Sequence, residues 1–249
     1  MITIKTKDEI NGIKKSCALL RSLFEELDGF IKEGITTKAV DVFCENFIKK
    51  HGGKPAFLYY DGFPASACIS INEEVIHGIP SSHRIIKNGD LVKVDLGINL
   101  NGYFSDSSRM FCIGEVSPEK KRLVQVTKEC VEAGLKAVKP WGFLGDMGQA
   151  VHDHAYENGY TVVREIGGHG VGLEFHEEPW VGYNSRRGTQ MVLAPGMVFT
   201  IEPMVNMGGV EIYIDDENDW EVYTEDGLPS AQWEIMVLVT EDGAEVLCW

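Results

Sequence analysis

Residues 89–106, Gly-Asp-Leu-Val-Lys-Val-Asp-Leu-Gly-Ile-Asn-Leu-Asn-Gly-Tyr-Phe-Ser-Asp, constrain what this chain can fold into more than any other stretch. Two runs rich in branched and aromatic side chains flank Asn101-Gly102, and Asn-Gly is the strongest short-range hairpin signal because both residues tolerate positive φ. With a two-residue loop there, Asp106 lies opposite Gly97, and Asp95 sits two residues from Gly97 on the same face. Both carboxylates then point the same way. A three-residue loop would reverse that parity, so the reading depends on an even turn. Two like charges on one sheet face are costly unless something positive lies between them. The expected positive group is a metal.

The charge balance bears on that expectation. The chain of 249 residues carries a formal charge of -15, which excludes a protein whose main task is gripping nucleic-acid phosphates. Such acidity is either a solvated surface or is partly neutralised internally by bound cations. Its 44% hydrophobic content allows a sizeable core. Met1 to Glu9 alternates Ile and Thr with Lys, unlike a secretory leader, and no apolar run is long enough to span a bilayer. A cytoplasmic protein without membrane contact is expected. Cys17, Cys44, Cys68, Cys112, Cys130 and Cys248 form no Cys-x-x-Cys pair, which disfavours a zinc knuckle or a disulfide framework.

Periodicity predicts a helix from Asp8 to about Phe30, with Ile13, Cys17, Leu20, Phe24 and Leu27 on one face, and a second from a Thr36 cap to about Lys50. Strands follow from Ala67 to Ile71 and through the hairpin to about Ile113. The plan then repeats: Ser117-Pro118 opens a helix to about Lys139, Asp146–Asn158 forms a shorter one closed by Gly159, and strands and glycine turns return from Tyr160. His77-Gly-Ile-Pro80 is answered by His176-Glu-Glu-Pro179. The step from Gly89 to Asp95 is answered by that from Gly196 to Glu202. Same order and same spacing imply two related halves, about 1–115 and 116–249, in a single α/β domain over 1–249, with Asp95 and Glu202 converging at the seam.

A fourth acid is expected from a strand beside Glu202, and Ser230 to Val239 is such a run, placing Glu234 on one face with Gln232 and Met236. Taken alone, Glu234 reads as a solvated strand end; beside three other acids it reads as a ligand. Gly167-Gly-His-Gly-Val-Gly172 is a poor dinucleotide loop because it does not open a helix. A lone histidine among strands is usually only hydrogen-bonded, yet glycines on both sides let backbone crowd a site, so His169 is a candidate ligand. Four carboxylates and one imidazole balance two divalent cations and suit Mn, Fe or Co better than a thiolate-type zinc. Two such ions roughly 3.5–4 Å apart perform hydrolysis. His152 and His154 share no helix face and are expected at the surface.

Asp95, Asp106, His169 in Gly-His-Gly-Val-Gly, Glu202 in Phe-Thr-Ile-Glu-Pro-Met, and Glu234 after Ser-Ala-Gln together resemble the metal-ligand pattern of the type I methionine aminopeptidases, in order and over almost the whole chain. The resemblance implies the duplicated pita-bread fold, with a curved antiparallel sheet and outer helices. It implies two divalent ions (Mn, Fe, Co or Zn) and removal of initiator methionine from nascent polypeptides with a small second residue, through attack of a metal-bridged hydroxide on the first peptide bond. The substrate's α-amino group would bind a metal. Glu202 would relay the proton, His176 would stabilise the oxyanion, and His77 would bond near the scissile nitrogen. Tyr60, Phe63, Cys68, Phe175 and Trp220, with His77 and His176, match the family's substrate-binding positions, aromatic walls suiting a thioether.

Further implications are a monomer in transient contact with the ribosome, and a short bacterial-type form. One departure is Ile235 after Glu234, where many members carry histidine; loss of such an outer partner commonly costs about ten- to a hundredfold in affinity or activity. The alternatives are an Xaa-Pro peptidase on the same fold and a non-catalytic peptide-binding homologue. The latter typically loses ligands, and none of the five is missing here.

Overall fold

The computed structural model describes residues 1–249. Helix α1 spans Lys7–Phe30 and starts at a reciprocal cap: the Thr6 hydroxyl accepts from the Glu9 amide, and the Glu9 carboxylate accepts from the Thr6 amide. Helix α2, Thr37–Lys50, is capped by Thr36. Strands β1 (Lys54–Pro55), β2 (Cys68–Ile71) and β3 (Glu74–Ile76) precede the long pair β4 (Leu91–Leu100) and β5 (Tyr103–Cys112). Helix α3 spans Pro118–Ala137 and α4 Leu144–Glu157. Ten further strands follow: β6 (Thr161–Val162), β7 (Gly168–Gly170), β8 (Glu177–Val181), β9 (Val198–Ile201), β10 (Met204–Asn206), β11 (Ile212–Ile214), β12 (Val222–Thr224), β13 (Ser230–Gln232), β14 (Ile235–Val239) and β15 (Ala244–Cys248).

The hairpin turns at Asn101-Gly102 with both residues at positive φ, and Gly97 faces Asp106 as the even turn requires. β4 pairs with β5 along one edge and with β1 and β2 in succession along the other. The later half builds a five-stranded sheet in the order β15-β14-β9-β7-β8 and a three-stranded one, β13-β10-β6, while β11 and β12 form a further three-stranded sheet with β3 of the first half. All strand pairs are antiparallel. One core joins α1 and α2 to β4, with Ile13, Leu20, Phe24, Val92 and Val94 fully buried. The other joins α3 and α4 to the five-stranded sheet through Val126, Val131, Val151, Phe199 and Val237.

Three expected boundaries shift. α3 stops at Ala137 rather than Lys139, because Pro140 bars the residue before it from helical ψ. α4 begins at Leu144 rather than Asp146, whose carboxylate instead accepts from the Phe143 amide one turn back. The single strand expected from Ser230 to Val239 is broken at Trp233-Glu234: β13 pairs with β10, β14 with β9. The break is held by β5, as the Glu234 amide donates to the Ser108 carbonyl and the Ser107 hydroxyl to the Glu234 carbonyl.

Packing is tightest where backbone meets backbone. A Cβ on Gly78 would lie 2.3 Å from the Ile69 carbonyl oxygen, whereas one on Gly29, in the last turn of α1, meets nothing within 4 Å. Gly78→Ala is expected to destabilise by about 1–3 kcal/mol through overpacking. Gly29→Ala is expected to gain up to about 1 kcal/mol by helix propensity. Urea midpoints of the two variants check this pair.

Candidate active site

The hairpin delivers Asp95 and Asp106 from adjacent strands, and the two strand breaks deliver Glu202, just after β9, and Glu234, just before β14. His169 comes from the middle of β7, where Gly168 is required: a Cβ there would lie 2.6 Å from the Thr200 carbonyl. The His169 Nδ1–H donates to the Gly170 carbonyl at 2.9 Å, which fixes the tautomer and leaves Nε2 as a free lone pair. That nitrogen stands 3.5 Å from Asp106 Oδ2 and 3.6 Å from Glu202 Oε1. One donor atom each from Asp106, His169 and Glu234 lies within 4.8 Å of the others. Asp106, Glu202 and Glu234 are 3%, 7% and 2% exposed, so solvent does little to separate their charges.

Glu202 Oε1 accepts from the Thr200 hydroxyl at 2.7 Å, and Oε2 from the Gln232 amide at 3.3 Å. By contrast Asp95 Oδ1, Asp106 Oδ1 and both carboxylate oxygens of Glu234 are buried with no hydrogen-bond partner. Buried polar atoms are nearly always paired, so four orphaned anionic acceptors around one imidazole lone pair fit a cation site. Ile235 is 1% exposed and packs into the second core, so its side chain supplies no donor to Glu234. Burial raises the carboxyls of Asp95, Asp106 and Glu234 well above their usual range, and Asp106 raises the other two further. Glu202 is pushed up to about 8, mainly by burial against the opposing pull of His169.

The cluster floors a cavity of about 380 Å³ whose walls include Tyr60, Phe63, Cys68, His77, His176 and Trp220. Phe175 stands behind them: it is 2% exposed, edge-on to Tyr60 at 5.0 Å, and occupies the space a side chain on Gly97 would need. The Trp220 ring stacks edge-on to Phe63 at 5.2 Å and to His77 at 5.9 Å, and the His176 ring lies 4.1 Å from that of His169. His77 takes a left-handed φ of 59°. Burial lowers it to about 4, and lowers His176 to about 3 with help from His169 and His77, so both rings are neutral near pH 7. Phe57, Asp61, Ile76, Trp180 and Gln232 also line the cavity without having been singled out as site residues in the sequence. Gln232 shares the alternating face of Glu234 and Trp180 follows the repeated His176–Pro179 segment; Phe57 has no such signal. His154 pairs with Glu129 of α3, in keeping with a role outside the cavity.

The sequence pattern of metallopeptidase family M24 matches residues 11–241. A methionine aminopeptidase of Treponema pallidum is 45% identical over 248 residues, covering 99% of this chain and 96% of that protein. The crystal structure of methionine aminopeptidase from Rickettsia prowazekii superposes with a TM-score of 0.98 at 38% identity, each chain covered completely. A prolidase from Pyrococcus furiosus is more distant, with a TM-score of 0.80 and 29% identity, and this chain covers 65% of it. The four helices and antiparallel sheets are those of the pita-bread fold that these structures share.

The raised acids give the metal-free protein a defined pH response. A carboxyl with a higher folded than unfolded pKa stabilises the fold fully below its ordinary value, 3.8 for Asp or 4.5 for Glu, and the contribution is lost as pH rises through the folded value, about 8 for Glu202. The Tm of chelator-treated protein is therefore expected to fall between about pH 5 and pH 8.5. Added Mn should raise Tm more at the upper pH than at the lower, since the cation binds the ionised acids. Calorimetric scans at both pH values check this; an equal metal-induced shift at the two would contradict a carboxylate-held ion.

Proposed function

Since the chain belongs to the methionine aminopeptidases of metallopeptidase family M24, we propose that this cavity removes the initiator methionine from nascent polypeptides whose second residue is small. The observation that carries the reading is the convergence of five donor side chains, four of their oxygens orphaned, on the floor of an aromatic cavity. Asp95, Asp106, His169, Glu202 and Glu234 would hold two divalent ions, with Mn, Fe, Co and Zn all compatible with that donor set. Such ions, when bound, supply Lewis-acid polarisation and make water acidic enough to serve as a nucleophile near neutral pH.

The chain's own groups do the rest. Glu202 has one oxygen held by Thr200 and the other by the longer bond from Gln232, so Oε2 is placed to take the proton of the attacking water and pass it to the departing amine. His176, neutral and open to the cavity, donates an N–H to the carbonyl oxygen as charge builds there. His77, packed on Trp220, bonds near the scissile nitrogen. Tyr60, Phe63, Cys68 and Trp220 receive the methionine side chain, sulfur against ring edges, with Phe175 packed behind them.

The site draws on residues before 115 and after 116, and we treat 1–249 as one catalytic unit. No helix is long and apolar enough to cross a membrane. Six free cysteines support placement in the reducing cytoplasm. A monomeric state and transient ribosome contact complete the proposal on the family resemblance; with a charge of -15, that contact would use a local basic patch.

Metal-loaded protein is expected to release methionine from Met-Ala-Ser and to leave Ala-Pro-Ala intact; the reverse preference would favour the Xaa-Pro reading. Glu202→Ala should lower kcat by about 100-fold or more. Full activity in that variant would refute the proton relay.

A further inference from the structure

Outside the donor cluster, Lys5 and Glu177 form an ion pair that the reaction as derived above does not use. Lys5 Nζ donates to Glu177 Oε2 at 2.6 Å, with side chains 1% and 7% exposed. The second oxygen, Glu177 Oε1, accepts from the amides of Leu173 at 2.8 Å and Glu174 at 3.1 Å. One carboxylate thus closes the turn that runs from Leu173 to Glu177, and a lysine from the start of the chain neutralises it. Lys5 is itself fixed, because its amide donates to the Gly196 carbonyl at 2.9 Å and its stem lies against Gly172. Inside the closed turn sit Phe175, behind the methionine pocket, and His176, 4.1 Å from the ring of His169.

We propose that Lys5 is a positioning residue: by neutralising Glu177 it keeps the 173–177 turn closed and thereby sets where His176 and Phe175 stand relative to the metal-ligating side chains. Lys5 does not line the cavity. The physical basis is that removing Lys5 leaves Glu177 as an uncompensated buried charge, which a turn of the carboxylate towards water would relieve. That movement removes the acceptor from two amides and frees the turn. A donor displaced by about 1 Å from a developing oxyanion is enough to cost rate. The kinetic part of the inference rests on the aminopeptidase reading; the closure of the turn does not.

The test compares metal-loaded wild type, Lys5→Met, Lys5→Arg and Lys14→Met, the last removing a half-exposed pair with Glu245 as control. Two quantities are read below the melting temperature of every variant: kcat and KM on Met-Ala-Ser, and hydrogen exchange at the Leu173 and Glu174 amides. In Lys5→Met, kcat is expected to fall about 10- to 100-fold, and both amides should exchange at least about tenfold faster. Lys5→Arg should restore both readouts, and Lys14→Met should change neither. A tie that only anchors the amino-terminal segment would lower Tm and leave kcat and the two amides alone, which would overturn the proposal. So would a change in one readout without the other. If Lys5→Met does not fold, Lys5→Gln, which keeps a donor without the charge, is judged by the same criteria. If wild type releases no methionine, the aminopeptidase reading falls, and exchange at Leu173 and Glu174 then decides the tether alone.

Discussion

Mutual repulsion among buried carboxylates is the constraint on which the rest of this structure depends. Asp95, Asp106, Glu202 and Glu234 crowd one imidazole, and burial holds each above its ordinary pKa, with neighbouring acids adding to the rise at Asp95, Glu202 and Glu234. No well-packed core gathers such groups for stability, since each buried charge costs far more than its neighbours return. The arrangement is sensible only around cations. The elements carrying these acids are accordingly anchored elsewhere: the hairpin by a ten-residue ladder, the break before β14 by bonds to β5, and Glu202 by the Tyr183 hydroxyl, which accepts from its amide at 2.6 Å.

The two halves contribute unequal geometry to that seam. In the first, both acids sit within unbroken strands, where pleating alone aims them to one side. In the second, Glu202 and Glu234 sit where strands change sheets, β9 to β10 and β13 to β14, so the backbone turns as it passes the site. Buried Lys93 ties the halves behind the cluster, its ammonium donating to the carbonyls of Asn72 at 3.0 Å and Ser230 at 2.8 Å. It is drawn down to about 7 by burial, with Glu74 the main opposing influence.

Aromatic side chains, histidines and carboxylates share the same cavity walls. The aromatic groups proposed to receive a thioether line the same cavity as the carboxylates, and the histidines between them are neutral because they are buried. A neutral imidazole next to a cation site can donate a hydrogen bond without repelling the metal, which a protonated one could not do. Under the proposed function, the same burial would serve binding, proton transfer and oxyanion stabilisation.

Local chemistry made much of this legible in the sequence. The Asn101-Gly102 turn fixes the parity of the hairpin, so Asp95 and Asp106 share a face before any long-range contact is considered, and Thr36, Ser117 and Pro118 mark helix starts by hydrogen bonds made within one turn. The repeated Gly-to-acid spacing pairs Asp95 with Glu202 in the sequence, and both acids line the same cavity. Other features depend on what lies across the fold. The break at Trp233-Glu234 exists because β14 leaves one partner strand for another, and the strands of two or three residues, such as β1 and β3, carry no periodicity of their own. Phe57 joins the cavity, and Lys5 reaches Glu177 from 172 residues away, only once distant segments meet. Sequence determined which groups had to be neutralised and which faces they share, because those follow from pleat, turn and cap. Tertiary structure alone decided which residues surround them, because burial and ion pairing belong to the assembled chain.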